Sequence, residues 1–311
     1  MNKQLAIVFP GQGSQSVGML AELASVHAEV QGTFAEASDV LGYDLWALTQ
    51  NGPESDLNQT DRTQPAMLAA GVAVWRLWCK RGGPQPAYMA GHSLGEYTAL
   101  VCAGSLDFAD GIRLVAERGR RMAEAVPPGV GAMAAILGLD DDLVRQACTE
   151  AAQSEVVSAV NYNSPGQVVI AGHQAAVDRA CEKARALGAK RALPLAVSVP
   201  SHCSLMQPAA EAFAATLAEA AIKTPRIPVI QNAEVAVHTT ADAIREALIR
   251  QIYSPVRWVE TVQHLAGQGV THIVEAGPGK VLTGLNKRID KHLTSLAAFD
   301  SSSLGEAIAA L

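Results

Sequence analysis

Aromatic side chains are scarce in this 311-residue chain, at 5% of positions, and charged ones reach only 17%. With 24 basic against 30 acidic residues, the formal charge is -6. The chain therefore lacks the basic surface and stacking rings of a nucleic-acid binder. Cysteine is also sparse: Cys79, Cys102, Cys148, Cys181 and Cys203 are odd in number and have no CxxC spacing, which argues against a disulfide framework or a paired-cysteine zinc site and for a reducing cytoplasm. HExxH is absent, and no metal is expected. The uncharged stretch Ala125 to Leu139 holds Pro127 and Pro128 and is shorter than the ~20 apolar residues of a membrane span. The run Leu5 to Phe9 stops at Pro10-Gly11, too soon for a signal-peptide core. A soluble chain without repeats or low-complexity tracts is expected.

What is present suits a globular α/β protein. Hydrophobic residues are 49%, with Gly at 26 and Pro at 15, and the length allows one large domain or a domain with an insert. Strand-like runs at Leu5 to Phe9 and Ala87 to Ala90 alternate with helix-period segments at Ala66 to Cys79, from Glu96 to near Gly104, and after Asp107, where Phe108, Ile112, Val115, Gly119 and Met122 share a stripe. Asp107 is the expected N-cap and Pro127-Pro128 the stop. The texture then changes. An apolar segment Met133 to Leu139, a helix opened by Asp140 to Asp142, a strand Val156 to Asn161, the turn Asn163 to Gly166, a strand Gln167 to Ala171, a helix Gln174 to Leu187 and a strand Arg191 to Ser198 spell β-α-β-β-α-β. That order is the ferredoxin-like unit, so residues 128–198 are expected as a subdomain inserted between 1–127 and 199–311. Beyond Pro200, strands are expected at Val229 and His272 to Val274, and a last helix opened by Ser303 with Glu306 in its capping box.

The segment Gly91-His92-Ser93-Leu94-Gly95 satisfies G-x-S-x-G between a strand and a helix. Small residues two positions either side let the backbone turn sharply and lift the serine hydroxyl into the open, and the following helix aims N–H groups at a developing oxyanion. Of eight histidines, His92 adjoins the serine and should point away. His27, His238, His264 and His292 have helical or polar surroundings, His173 follows a subdomain strand, and His272 sits in an apolar strand. His202 lies where the chain leaves the insert, at a natural cleft, and is the candidate base. No acid declares itself as a third member, and the orienting group need not be one. The loop Phe9 to Gln15 is a second source of backbone donors. It is not a Rossmann fingerprint, because Ser16 occupies the third glycine position, and Gly277-Pro278-Gly279-Lys280 is not a phosphate loop. On the helix carrying Glu117-Arg118-Gly119-Arg120-Arg121, both Arg118 and Arg121 share the side of Leu114, and spacing does not decide which turns inward to grip a carboxylate.

Taken together, Phe9 to Gln15, Thr63-Gln64-Pro65-Ala66, Gly91 to Tyr97, Arg118-Gly119, Pro200-Ser201-His202, Tyr253 to Trp258 and Glu275 to Gly279 resemble, along essentially the whole chain, the bacterial malonyl-CoA:acyl carrier protein transacylases of type II fatty acid synthesis. The resemblance implies an α/β-hydrolase-like main domain with a ferredoxin-like insert, and ping-pong transfer of malonyl from coenzyme A to the phosphopantetheine thiol of acyl carrier protein. It implies Ser93 as nucleophile, His202 as general base and acid, backbone N–H groups of Gln12 and Leu94 as oxyanion hole, Arg118 as carboxylate grip, and Gln251 as the residue whose carbonyl orients the histidine. No cofactor is implied, only malonyl-CoA and an acidic carrier protein as substrates, and a monomer is expected. Because the chain is itself net negative, docking an acidic carrier needs a local basic patch, for which Lys190-Arg191 and Lys287-Arg288 are candidates. Rival readings are a malonyltransferase loading the carrier subunit of malonate decarboxylase, a hydrolase of the same fold, and a non-catalytic carrier-binding scaffold.

Overall fold

The run Leu5 to Phe9, all of it fully buried, lies in strand β1 (Asn2–Phe9) inside the larger of two sheets. The computed structural model describes residues 1–197 and 199–311, and they form a mixed α/β fold. β1 pairs in parallel with β2 (Pro86–Gly91) and, on its other side, with β9 (His272–Ala276). β10 (Thr294–Ala298) extends the sheet beyond β9, and β7 (Val229–Gln231) with the antiparallel β8 (Ala236–Val237) extends it beyond β2. Side chains of a strand alternate between faces. Leu5, Ile7 and Phe9 accordingly join the core beneath helices Thr60–Lys80, Phe108–Glu124 and Gln207–Glu219, whereas Ala6 and Val8 pack with Trp258, Val262, Leu282 and Leu285 from the helices opposite. A parallel sheet covered on both faces needs the continuous apolar run seen here.

The smaller sheet comprises β3 (Gly131–Leu137), β4 (Val157–Ser164), β5 (Gln167–His173) and β6 (Arg191–Pro194), in the order β4-β5-β3-β6 and antiparallel throughout. Ala132, Ala134 and Ile136 face helices Asp141–Ala152 and Gln174–Ala186, while Met133 turns the other way with Val160, Val169 and Cys203. β4 is tied to the connection between helices Ala241–Tyr253 and Trp258–Gly267 by backbone bonds, Tyr162 N to Val256 O at 3.0 Å and Val256 N to Val160 O at 2.8 Å.

Several boundaries differ from the sequence expectation. The helix read as Ala66 to Cys79 begins a turn and a half earlier, at Thr60. Asp107 caps its helix by position only, since its carboxylate faces Lys223 at 3.3 Å and makes no cap hydrogen bond. β6 stops at Pro194, although Leu195 N still donates to Met133 O at 2.9 Å; Ser198, the expected strand end, is outside the described residues. The last helix starts at Ser301, not Ser303: Asp300 accepts from Ser303 N at 2.7 Å, and the Ser303 hydroxyl returns the capping-box bond. Two overlapping cap signals compete there, and the earlier, anionic one prevails. Helices Ala21–Val26, Ala28–Leu41, Leu45–Asn51 and Glu54–Leu57, and the short β8 and β10, carried no periodicity strong enough to be read.

Candidate active site

The site lies at the carboxyl ends of β1, β2 and β7, the edge of a parallel sheet where ligands collect. After β2 the chain reverses sharply and Ser93 adopts φ 50. Such a left-handed conformation costs a non-glycine residue roughly 1–3 kcal/mol and persists only where surroundings impose it. Here they do. A Cβ on Gly91 would stand 1.9 Å from the carbonyl of Gly95, and one on Gly95 would stand 2.1 Å from Phe9 O. The two glycines thus let the turn pack on itself and on β1, and the following helix, Gly95–Cys102, starts directly beneath the serine.

The half-buried Ser93 hydroxyl is 2.8 Å from Nε2 of His202. The other ring nitrogen, Nδ1, is 2.8 Å from the backbone carbonyl of Gln251. A carbonyl only accepts, so Nδ1 carries the proton and Nε2 is free to take one from Ser93. The His202 N–H also donates to Ile252 O at 3.1 Å, so this residue is tied at ring and backbone to the helix Ala241–Tyr253. Burial, reinforced by the neighbouring Arg118 charge, depresses the His202 pKa to about 3. The imidazole is thereby kept neutral.

Of the two arginines left open by spacing, Arg118 turns inward. It is 1% exposed, whereas Arg121 pairs with Glu117 at 2.6 Å on the partly exposed side of the helix. Arg118 donates to Gln64 Oε1 at 2.8 Å, to Gln251 Oε1 at 2.9 Å and to Ser93 Oγ at 3.1 Å, and its Nε has no partner. All three acceptors are neutral, and no described carboxylate lies within salt-bridge distance of this guanidinium. Burial lowers its proton affinity, but arginine stays charged in proteins. A buried charge without a counter-charge is costly, so this guanidinium favours an incoming anion.

Gln12, Leu94, Gln64, Met122, Met133, Asn161, Leu195 and Val197 line, with the three residues above, a cavity of about 120 Å³. Among the described residues, the backbone N–H groups of Gln12 and Leu94 have no acceptor. Gln251 lies outside that lining but reaches into the centre three ways, since its Nε2 also donates to Ser93 O at 2.9 Å.

The remaining histidines are placed away from the serine hydroxyl. His92 turns to Asn163 Oδ1 at 2.8 Å, His173 accepts from Val156 N at 2.9 Å, and His238 pairs with Glu234. Lys190 and Arg191 are exposed at the start of β6, four residues from the cavity-lining Leu195, roughly 13 Å along an extended strand. Lys287 and Arg288 lie elsewhere. They end the helix that runs back from β9 so that Thr294 can pair with His272 at the strand's beginning, and they therefore lie on the sheet edge opposite the cavity. The motif Glu275 to Gly279 sits near the site, but the helix after it carries this basic pair away.

Three contributors were not singled out by the sequence reading. Gln64 occurs in a quoted motif without an assigned role. Asn232 follows β7, accepts from Ser93 N at 2.6 Å and donates to Gly91 O at 2.6 Å. Glu96 is fully buried and accepts from Asn232 N at 2.8 Å. Its only sequence signal was its place in the segment Gly91 to Tyr97.

Chemically, a serine hydroxyl on a strained turn, a neutral histidine oriented through its far nitrogen, and two free N–H groups form a site for nucleophilic acyl transfer. In keeping with this, the family model described as "Acyl transferase domain" matches residues 6–296. The malonyl CoA-acyl carrier protein transacylase of Escherichia coli (strain K12) is 60% identical over 305 residues, covering 98% of this chain and 99% of that protein. A solved acyl carrier protein S-malonyltransferase from Vibrio cholerae O1 biovar eltor superposes with a TM-score of 0.95 at 62% identity, covering 97% of this chain and 99% of the other. A malonyl-transacylase solved in complex with its type II PKS acyl-carrier protein gives 0.98 at 58%, covering 99% and 100%. The chain belongs to the malonyl CoA-acyl carrier protein transacylase family. Among the described residues no helix is long and apolar enough to cross a membrane, and no group of three metal-ligating side chains occurs.

Proposed function

We propose that this enzyme transfers malonyl from malonyl-CoA to the phosphopantetheine thiol of an acyl carrier protein, supplying fatty acid chain elongation through a malonyl ester on Ser93. The observation that carries the acyl specificity is Arg118: a buried cation with no anionic partner, 3.1 Å from the nucleophile. In the first half-reaction Ser93 Oγ attacks the thioester carbonyl while His202 Nε2 takes its proton. The oxyanion is met by the N–H groups of Leu94 and Gln12. Loss of one such donor typically costs about 3 to 4 kcal/mol. Collapse breaks the C–S bond, and His202 returns the proton to the departing coenzyme A sulfur. In the second half-reaction the carrier thiol loses its proton to His202 and attacks the ester, and the proton goes back to Ser93 Oγ. Throughout, Arg118 holds the free malonyl carboxylate, with Gln64 and Gln251 fixing the guanidinium plane. The reaction balances without a cofactor.

The larger body, residues 1–127 and 199–311, is read as α/β-hydrolase-like, supported by the serine turn after a parallel strand. Residues 128–198 are read as ferredoxin-like, supported by the antiparallel order β4-β5-β3-β6 with both helices on one face. Of the basic pairs, Lys190 and Arg191 are retained for docking an acidic carrier, since they border the cavity side of the smaller sheet. The enzyme acts as a cytoplasmic monomer in this reading. Intact mass after mixing with malonyl-CoA tests the core of it. A malonyl adduct should form and vanish in Ser93→Ala, and its absence from the unmodified protein would defeat the proposal.

A further inference from the structure

The mechanism leaves Glu96 and Asn232 without a task, although both are fully buried beside the nucleophile. Three hydrogen bonds converge on Asn232. Its side chain accepts from Ser93 N at 2.6 Å and donates to Gly91 O at 2.6 Å, and its own backbone N–H is held at 2.8 Å by Glu96 Oε2. These partners are the residue before the turn, its apex, and the first turn of the helix after it. The anchor is thus tied to every part of the reversal that holds Ser93 at φ 50. We propose that Asn232, itself held by Glu96, is a positioning residue that fixes the strained backbone of Ser93 and withholds the Ser93 N–H from the oxyanion. This deepens the acyl-transfer reading and rests on it.

Two physical points carry the inference. An N–H already bonded at 2.6 Å cannot also serve a developing oxyanion, so the hole is confined to the unoccupied N–H groups of Leu94 and Gln12. Secondly, Asn232 and Glu96 do not line the acyl cavity. Loss of Asn232 therefore disturbs the direction of the hydroxyl, while Arg118 and Gln64 keep their own hydrogen bonds. Glu96 has no described cation within bridging distance, and its Oε1 is without a partner. What it contributes is the acceptor, and an amide oxygen can supply that equally.

The test uses the full chain with two readouts. A fluorophosphonate labels an activated serine whatever its natural acyl donor: Oγ displaces fluoride from phosphorus and gives its proton to His202. Single-turnover acylation over a malonyl-CoA series then separates rate from half-saturation. Asn232→Ala should slow labelling and maximal acylation about 30-fold or more, because small misplacements of a nucleophile are costly. Half-saturation should stay within about threefold, since ground-state binding is untouched. Glu96→Ala should move in the same direction, and Glu96→Gln should restore the rate to within about threefold of the unmodified protein. Labelling of Asn232→Ala at the unmodified rate, or half-saturation worsening in step with the rate, would overturn the proposal. So would Glu96→Gln being as slow as Glu96→Ala, the comparison that decides if Asn232→Ala does not fold. A protein that reacts with fluorophosphonate but takes no malonyl would instead defeat the acyl-donor reading and leave the positioning role standing.

Discussion

Replacing Arg118 by alanine separates two functions of one side chain. The guanidinium is 1% exposed, and its donors rest on the neutral oxygens of Gln64, Gln251 and Ser93. A malonyl carboxylate entering this cavity loses its water and gains a desolvated, charge-assisted partner. Truncating one member of such a buried pair costs about 2 to 5 kcal/mol, or roughly 30- to 5,000-fold in kcat/KM for malonyl-CoA. Acetyl-CoA has no carboxylate to lose. It feels only the missing bonds to Ser93 Oγ at 3.1 Å and Gln251 at 2.9 Å, each worth about 0.5–1.5 kcal/mol, together roughly 5- to 150-fold, a loss that malonyl-CoA shares on top of its carboxylate contact. The preference for malonyl over acetyl should therefore fall by about one to three powers of ten. The measurement is the kcat/KM for Ser93 acylation, from quenched single turnovers followed by intact mass with both thioesters. Equal losses would refute the reasoning, since they would make Arg118 a support for the serine and not a receptor for the acyl group.

Other expectations are as direct. Because burial and Arg118 hold His202 at about 3, the acylation rate should show no falling limb near the ordinary histidine value of about 6.5, and a limb there in the pH profile would contradict the assignment. The same offset makes stability fall with pH. Below about 6.5 the unfolded chain binds a proton that the native state refuses, so this contribution is intact above that pH and declines from there towards 3, which urea midpoints across that range will show. Gly91→Ala forces a Cβ to 1.9 Å from the Gly95 backbone and should destabilise by at least about 3 kcal/mol, seen as a lowered melting temperature; an unchanged melt would mean the turn is far more plastic than its packing. Charge reversal at Arg191 should slow transfer to an acidic carrier without altering acylation by malonyl-CoA. Reversal at Arg288, on the far edge of the sheet, should change neither, and a carrier defect there would misplace the docking face.

The serine turn was legible in the sequence because its requirement is local: two glycines four residues apart are what the sterics at Gly91 and Gly95 demand. His202 was legible from its place in the connection, and the apolar runs of β1 and β2 from their burial on both faces. Asn232 was not, because its bonds to Gly91 and Ser93 span about 140 residues of chain and leave no spacing to read. Gln251 acts on His202 through a main-chain carbonyl, an atom every residue possesses, so only family resemblance pointed to it. The choice between Arg118 and Arg121 likewise required the packed helix, since both lie on one helical side. The place of Lys287-Arg288 was not legible either, because the helix Val281–Ile289 carries the pair away from Gly277-Pro278-Gly279, its neighbour in sequence.

The way the cavity is divided has a consequence for how such an enzyme can change. Ser93 rides on β2, and His202 is bound to the Ala241–Tyr253 helix beside the larger sheet. Much of the facing wall, Met133, Asn161, Leu195 and Val197, belongs to the smaller sheet and the segment leaving it. The proton-transfer pair and the mould around the acyl group are thus separate castings joined at a seam. Substitutions in that wall can admit a longer or branched acyl group that still offers a carboxylate to Arg118, while the distance from hydroxyl to imidazole stays as it is. The shape of the acyl group accepted is therefore adjustable from the smaller sheet, while its charge is fixed by Arg118 on the larger body.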